Sequence, residues 1–210
     1  MDLLFTNRWA RIVVCGALVA ITLPLTSAAE QPPQCQPAAA LVRVPELPEG
    51  SGLAASRRTP GRFWSHNDSG DAVLFALDGA GRVTGRLSLP GANVEDWEAI
   101  AVGPCPSGSC IYLADIGDND ARRKRITIYR VAEPAAASGP VQVTDVFYAT
   151  YPDQAQDAEA LLVTDSGRLH IVTKGDTGPV SLYRFPTDLQ SGTTMRLERV
   201  GGPRITRRQR

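Results

Sequence analysis

The sequence lacks the short motifs by which many enzymes are identified. It contains no Gly-x-Ser-x-Gly, no His-Glu-x-x-His, no phosphate-cradling glycine loop and no Cys-x-x-Cys. The missing serine elbow argues against an α/β-hydrolase, although a hydrolase on another fold does not need it. Motifs alone therefore place the chain in no enzyme class.

An excess of charge is also missing, since 22 Lys and Arg residues balance 22 Asp and Glu residues. A nucleic-acid-binding protein needs a basic face to neutralise phosphates, so this class is disfavoured. Two local basic runs exist, at residues 122–125 and 204–210. The first lies between two strand patterns, and we interpret it as a solvated loop tip rather than a phosphate site.

Long apolar runs are absent beyond the N-terminus. The one such run, residues 12–25, follows Arg8 and Arg11 and precedes the small residues 27–29. This order predicts a secretory signal peptide over residues 1–29. An uncleaved membrane anchor is the alternative, but a helix of this length spans only about 21 Å of a bilayer core of roughly 30 Å. We therefore expect a secreted or extracytoplasmic protein with no transmembrane span in the mature chain.

Cysteine is scarce, with four residues in the chain, and Cys15 is lost with the signal peptide. Cys105 and Cys110 bracket a Pro-Ser-Gly-Ser turn, which predicts a disulfide in an oxidising compartment. A zinc site is disfavoured, because only two histidines are available and neither lies at ligand spacing. Cys35 is then either free or paired with a cysteine outside this chain.

A repeat organises the rest of the sequence. Residues 30–48 are rich in Pro, Gln and Ala and predict a tether. Residues 49–186 contain three similar units, each with a short first strand, a second strand, a polar loop, a third strand and an outer fourth strand. The units cover about 49–92, 93–150 and 151–190, and residues 191–210 are interpreted as a degenerate basic tail.

The spacing of the units indicates a fold. Their first strands centre on Leu53, Ile100 and Leu161, which are 47 and then 61 residues apart. Four strands in roughly 40–50 residues are typical of a β-propeller blade. The predicted fold class is all-β, a β-propeller with about three four-stranded blades of a six-bladed ring. A β-sandwich is the alternative, but strands that match in type, order and flanking turn across three units make it the weaker one.

Three segments carry a resemblance to known proteins, namely DWEAIA at 96–101, LADIGDN at 113–119 with IYRV at 128–131, and DAEAL at 157–161. The chain resembles a family of secreted bacterial propellers of uncharacterised function. More distantly, it is similar to the six-bladed TolB-like propellers, which include gluconolactonase-type enzymes. The resemblance implies a fold and no activity. Because three blades are half of a six-bladed ring, we expect the chain to be a truncated form, with a dimer of two half-rings as the alternative.

Carboxylates at the first strands form the main candidate site. Glu98 and Glu159 occupy equivalent positions, each two residues after an aspartate, Asp96 or Asp157, whereas the first unit has Ser51. Inner strands of a propeller face its channel, and clustered oxygen ligands suit Ca²⁺ or another divalent metal. The gluconolactonase-type proteins hold a divalent ion in the channel, so the resemblance implies the same site. The alternative is that these side chains cap strand ends or accept hydrogen bonds from backbone amides of the next blade.

The polar loops at residues 66–71 and 115–120 form a second cluster of Asp and Asn residues. Their spacing matches no EF-hand, and Asx turns explain them equally well. His66 lies near Asp68 in the sequence, and we take this pair as the candidate catalytic base and its partner.

Two functions remain open. The first is an extracytoplasmic scaffold that binds a small molecule or a protein at its loop face, and the second is a divalent-metal-dependent hydrolase of the lactonase or esterase type acting at the channel. The missing motifs favour the first.

Overall fold

The computed structural model describes residues 41–175 and 178–202. Within these ranges the chain forms β-strands and no α-helix. The strands are β1 Gly50–Ala55, β2 Phe63–Asn67, β3 Val73–Leu77, β4 Val83–Ser88, β5 Trp97–Cys105, β6 Gly108–Asp115, β7 Ile126–Ala132, β8 Gly139–Pro140, β9 Asp145–Thr150, β10 Ala158–Val163, β11 Leu169–Thr173, β12 Leu182–Arg184, β13 Thr194–Arg196 and β14 Glu198–Gly201.

The strands form three sheets, each built around an antiparallel meander. The meanders are β1-β2-β3-β4 in the first sheet, β5-β6-β7-β9 in the second and β10-β11-β12-β14 in the third. Gly, Asn and Asp residues in the connections allow the tight reversals between strands. The predicted all-β class with three four-stranded, blade-like units is therefore confirmed, whereas the six-bladed ring stays a prediction.

The sheets pack face to face through two apolar clusters. Trp64 and Leu74 of the first sheet contact Ile100 and Leu113 of the second sheet in one cluster. The other cluster joins the second and third sheets. The first strands of the sheets lie side by side, with β5 between β1 and β10. This order is that of successive blades around an axis.

Two short strands link neighbouring sheets at their outer edges. β8 precedes the last strand of the second sheet but pairs in parallel with β4 of the first sheet. In the same way β13 pairs in parallel with β9 of the second sheet. The second and third units thus each add a fifth strand to the sheet before them. This feature was not predicted, because such short segments carry no alternation pattern.

The segments before and after the three predicted units are more ordered than the sequence suggested. Residues 194–201, assigned to a degenerate tail, contain β13 and β14, because Met195 and Leu197 bury their side chains in the second apolar cluster. Residues 41–48, assigned to a tether, lie along the first sheet and line a groove with it. The predicted signal peptide, Cys35 and the arginines after residue 202 lie outside the described residues. Within those residues, no helix has the length and apolar character needed to cross a membrane.

Candidate functional site

Each innermost strand carries a β-bulge at the same place. One residue on the inner strand has no partner on the second strand, and this extra residue is Ser51 in β1, Glu98 in β5 and Glu159 in β10. In the first sheet Ser51 lies between the pairs Gly50–Asn67 and Gly52–His66. In the second sheet Glu98 lies between Trp97–Asp115 and Ala99–Ala114. In the third sheet Glu159 lies between Ala158–Thr173 and Ala160–Val172. The predicted equivalence of Glu98 with Glu159 is confirmed by this register, which also places Asn67, Asp115 and Thr173 at one common position.

The three bulged residues form a connected row. The Ser51 hydroxyl donates hydrogen bonds to Oε2 of Glu98, 2.6 Å away, and to the Glu98 carbonyl oxygen, 3.1 Å away. Burial raises the pKa of Glu98 to about 7, although the Ser51 hydrogen bond opposes the rise. The charges of Glu159 and Asp96, and a hydrogen bond shared with Glu159, raise this pKa further. The Glu98 carboxyl is thus poised to gain or lose a proton near neutrality.

The cation between the carboxylates is a lysine. Nζ of Lys174 lies 2.8 Å from Oε1 of Glu159 and 3.4 Å from Oδ2 of Asp157. The hydrogen bond with Glu159 raises the pKa of Lys174, so the ammonium form is retained. Lys174 directly follows β11, and the residues at the same position of the repeat in the first and second sheets are Asp68 and Ile116. Sequence reasoning missed it, although its position in the repeat was a usable signal.

Asp157 and Asp96 both accept hydrogen bonds from backbone amides of the segment that follows β6. The buried Asp157 side chain accepts a hydrogen bond from the backbone N–H of Asp118 in the neighbouring sheet, 2.9 Å away. The Asp96 carbonyl accepts hydrogen bonds from the backbone N–H groups of Ile116 and Gly117, each at 3.1 Å. Burial, followed by the charge of Asp157, raises the pKa of Asp96. The Asp157 contact is of the kind expected from the alternative of inter-blade bonding, whereas Asp96 makes its contacts through the backbone carbonyl.

The four predicted metal ligands are only partly brought together. Glu98 lies beside Glu159, and Lys174 joins Glu159 to Asp157. Within residues 41–175 and 178–202, no group of three or more His, Cys, Asp or Glu side chains has the arrangement of a metal site. As it stands, the arrangement can accept hydrogen bonds and attract positive charge.

Two carboxylates of the second polar loop, Asp118 and Asp115, accept hydrogen bonds from groups within the same loop. Asp118 accepts hydrogen bonds from the backbone N–H groups of Arg122 and Arg123, at 2.9 and 2.7 Å. Arg123 also donates to Oδ1 of Asp115, 2.7 Å away, and pairs with Glu95. Arg122, Lys124 and Arg125 of the basic run are exposed, as expected of a solvated loop tip, whereas the Arg123 side chain is only 11% exposed.

The candidate base His66 is fully buried. Nδ1 bonds to the Asn67 carbonyl, 3.0 Å away, the ring lies edge-on to Trp97, and Nε2 has no hydrogen-bond partner in the described structure. Burial lowers the pKa of His66, against the opposing effects of Asn67 and Asp68. No hydrogen bond between the His66 and Asp68 side chains is found in this part of the chain. The His66 ring is therefore closed off from solvent in this structure, and its role as a catalytic base stays a prediction.

The predicted disulfide is present between Cys105 and Cys110, across the turn that joins β5 to β6. It closes a loop at the far end of β5 from Glu98. The disulfide prediction is therefore confirmed, and its role is to hold the hairpin.

A buried carboxylate that was not predicted joins the first two sheets. Glu133, 2% exposed, accepts hydrogen bonds from Ser56 and from the indole N–H of Trp64, both in or beside the first sheet, and from Ser109 in the second. Burial alone would raise the pKa of Glu133, but these hydrogen bonds hold it below the usual value. In the sequence it is an ordinary glutamate before a proline, so nothing marked it.

Comparisons with known proteins assign the chain to no family. No family model matches it, and no curated protein matches it. Among solved structures, it is similar to a streptogramin B lyase, a β-propeller protein, with 14% sequence identity and a TM-score of 0.38. The match covers 77% of this chain and 57% of the lyase, so the chain spans little more than half the length of that protein. The three repeated sheets themselves define an all-β protein of the propeller type.

Proposed function

We propose that this chain is an extracytoplasmic binding protein that holds its ligand or partner where the inner strands begin. The observation that carries the proposal is the row of Ser51, Glu98 and Glu159, bulged residues at one position of three sheets, in which Ser51 donates a hydrogen bond to Glu98 and Glu159 lies near enough to raise the Glu98 pKa. A bulge turns a side chain out of the regular pleat and often marks a functional site. A row of such residues, one from each sheet, suits recognition of a ligand at the axis.

The chemistry of the row favours a ligand that donates hydrogen bonds or carries positive charge. Lys174 neutralises Glu159 and Asp157, whereas among the described residues the Ser51 hydroxyl is the group that donates a hydrogen bond to the Glu98 carboxyl. Glu98 also remains partly exposed. A ligand ammonium or hydroxyl group could therefore bind Glu98 without displacing a buried ion pair.

A binding role explains the surroundings better than catalysis does. The candidate base His66 is buried, Asp118 of the second loop accepts hydrogen bonds from its own backbone, and Asp115 accepts one from Arg123. Hydrolysis by a divalent metal is the competing proposal, supported by the adjacent Glu98 and Glu159 carboxyls and by the pKa of Glu98 near 7. That reading requires a metal to compete with Lys174 for Glu159.

The proposal extends to location and family. The apolar N-terminal run supports export, and the repeated DWEAIA and DAEAL segments support kinship with secreted bacterial TolB-like propellers. On this view the complete binding unit is a six-bladed ring, of which this chain supplies three blades.

The decisive experiment is calorimetric titration of the purified full chain with Ca²⁺ and, separately, with the amines n-butylamine and spermidine. We expect binding of an amine that is weakened at least tenfold by Glu98→Gln, and unchanged by Asp165→Asn at an exposed site away from the row. No binding of any of these probes would contradict the proposal. Ca²⁺ binding together with hydrolysis of a lactone or p-nitrophenyl ester, both lost in Glu98→Gln, would establish the hydrolase instead.

A further inference from the structure

The inner strands show that every sheet has two different faces. We call the side bearing Leu53, Ile100 or Leu161 the front face, and the side bearing Ala54, Ala101 or Leu162 the rear face. Ile100 is 7% exposed because it packs on the rear of the first sheet, and Leu161 is 6% exposed because it packs on the rear of the second. The chain therefore repeats one kind of contact twice, front face on rear face.

At the two ends of the array the same positions are open. Leu53, on the front of the first sheet, is 66% exposed, and Leu162, on the rear of the third, is 51% exposed. His170 pairs with Leu162 and is partly exposed, whereas Tyr112 and Trp64 at its register position are buried. At their inner strands, both end faces thus retain the form of a contact surface that the described chain leaves open.

The front of the first sheet is only half covered by its own chain. Residues 42–47 lie against its outer part, and a groove of about 570 Å³ remains between them and the inner strand. Its walls are mostly apolar and include Val42, Leu47, Leu53 and Phe63. The groove therefore includes Leu53, at the position where the second and third sheets contact the sheet before them.

Side-chain sizes indicate which surface fits this one. Within the chain, Gly103 on the rear of the second sheet lies directly against Val163 on the front of the third, so that a Cβ at Gly103 would overlap the valine. The register places Thr164 at the position of Gly103, and Ala55 at the position of Val163. Between the two end faces, the rear residue Thr164 is therefore the larger and the front residue Ala55 the smaller. Inside the chain the sizes are reversed, with the small Gly103 on the rear face and the larger Val163 on the front face. Leu162 follows the same trend, being larger than Ala101.

We propose that the rear of the third sheet in one copy of this chain docks on the front of the first sheet in a second copy. Within one chain these faces cannot meet, since β5 lies between β1 and β10. Two such contacts related by a two-fold axis close a ring of six sheets and leave no open blade face. The exchange of residue sizes at Thr164 and Ala55 is the observation that selects these two faces for each other.

Sedimentation equilibrium of the purified full chain tests the proposal. We expect a dimer at micromolar concentration, and a halving of the measured mass in Leu53→Asp and in Leu162→Asp, both at exposed positions that tolerate the change in the monomer. Gln142→Asp adds the same charge at an exposed site outside both end faces and should remain dimeric. A wild-type monomer, a species larger than a dimer, or a dimer that survives both leucine substitutions would overturn the proposal.

Disulfide trapping tests the docking geometry itself. In a chain with Cys15 and Cys35 changed to Ser, Ala55→Cys and Thr164→Cys should form a covalent dimer on mild oxidation. Mixing two chains that each carry one of these introduced cysteines should give the same dimer, whereas Ala55→Cys mixed with Gln142→Cys should not; Cys105 and Cys110 stay paired with each other in every chain. Failure of the Ala55 and Thr164 pair to cross-link in a chain that sediments as a dimer would show that another surface holds the copies together.

Discussion

The indole N–H of Trp64 in the first sheet donates a hydrogen bond to the Glu133 carboxylate of the second sheet, 3.1 Å away. Ser56 and Ser109 donate to the same carboxylate, so that one buried side chain serves donors from two sheets. The carboxylate therefore fixes how the sheets meet at the end opposite the Glu98 row. Buried polar joints of this kind are costly to leave half-satisfied.

Glu133→Ala should lower the free energy of unfolding by about 2–4 kcal/mol, because it leaves buried donors without an acceptor. Urea denaturation followed by tryptophan fluorescence measures this directly. Asp165→Ala, at a fully exposed carboxylate, is the control and should change stability by less than about 0.5 kcal/mol. Equal effects of the two substitutions would mean that Glu133 does not join the sheets.

Gly52→Ala should destabilise the contact between the first two sheets by about 1–3 kcal/mol through overpacking. An added Cβ would lie 2.6 Å from Nε2 of His66 and 2.8 Å from Cγ2 of Ile100. Gly79→Ala is the matched control, because no atom lies within 4 Å of a Cβ built there. Thermal unfolding of the two variants compares them, and a wild-type melting temperature for Gly52→Ala would contradict this packing.

His66 should make the protein sensitive to acid. Burial lowers the pKa of His66 in the folded state, so the unfolded chain binds a proton first as the pH falls below about 6.5. Stability conferred by the neutral ring is therefore present above the unfolded pKa and declines as the pH falls toward the folded pKa. His66→Phe should remove this part of the pH dependence, measured as urea midpoints between about pH 5 and pH 7. A pH dependence unchanged in His66→Phe would assign it to other groups.

Glu98 should make the folded protein less stable as the pH rises, which is opposite to the effect of His66. Burial raises the pKa of Glu98 to about 7, above its ordinary value of 4.5, so the folded chain holds the proton more tightly. The stability associated with the protonated carboxyl is then present at low pH and is lost as the pH rises through about 7. Glu98→Gln should raise the melting temperature at about pH 8 and leave it nearly unchanged at about pH 5.

The Ser51 hydrogen bond supplies a control for this effect. Because the Ser51 hydroxyl favours the charged form of Glu98, Ser51→Ala should raise the Glu98 pKa further, a shift that carbon NMR of the labelled carboxyl measures. A Glu98 resonance that titrates near 4.5 in the wild-type chain would rule out the row as the source of pH dependence.

Strand patterns and turn residues were sufficient to predict the three sheets, because each strand needs only its own alternation and a reversal after it. The equivalence of Glu98, Glu159 and Ser51 also followed from sequence, since the repeat places them at the same step of each unit. The disulfide between Cys105 and Cys110 was predictable for a similar reason, as both cysteines flank one short turn.

Contacts between distant residues could not be predicted in this way. Lys174 pairs with Glu159 fifteen residues away and Glu133 with Trp64 sixty-nine residues away, and both depend on how sheets stack rather than on any local pattern. The burial of His66 and Arg123 was missed because a polar loop in sequence gives no sign of what covers it. Residues 194–201 were missed because two short strands gain their stability from Met195 and Leu197 in a shared core, not from local propensity.

By itself, the sequence determined the strands, their order and the positions that repeat, since these depend on neighbours in the chain. Only the tertiary structure decided that a lysine neutralises Glu159, that His66 is sealed away, and that Leu53 and Leu162 remain open at opposite ends of the array. The physical reason is that charge pairing, burial and exposure depend on which faces meet, and the meeting of faces is a property of the folded sheets together.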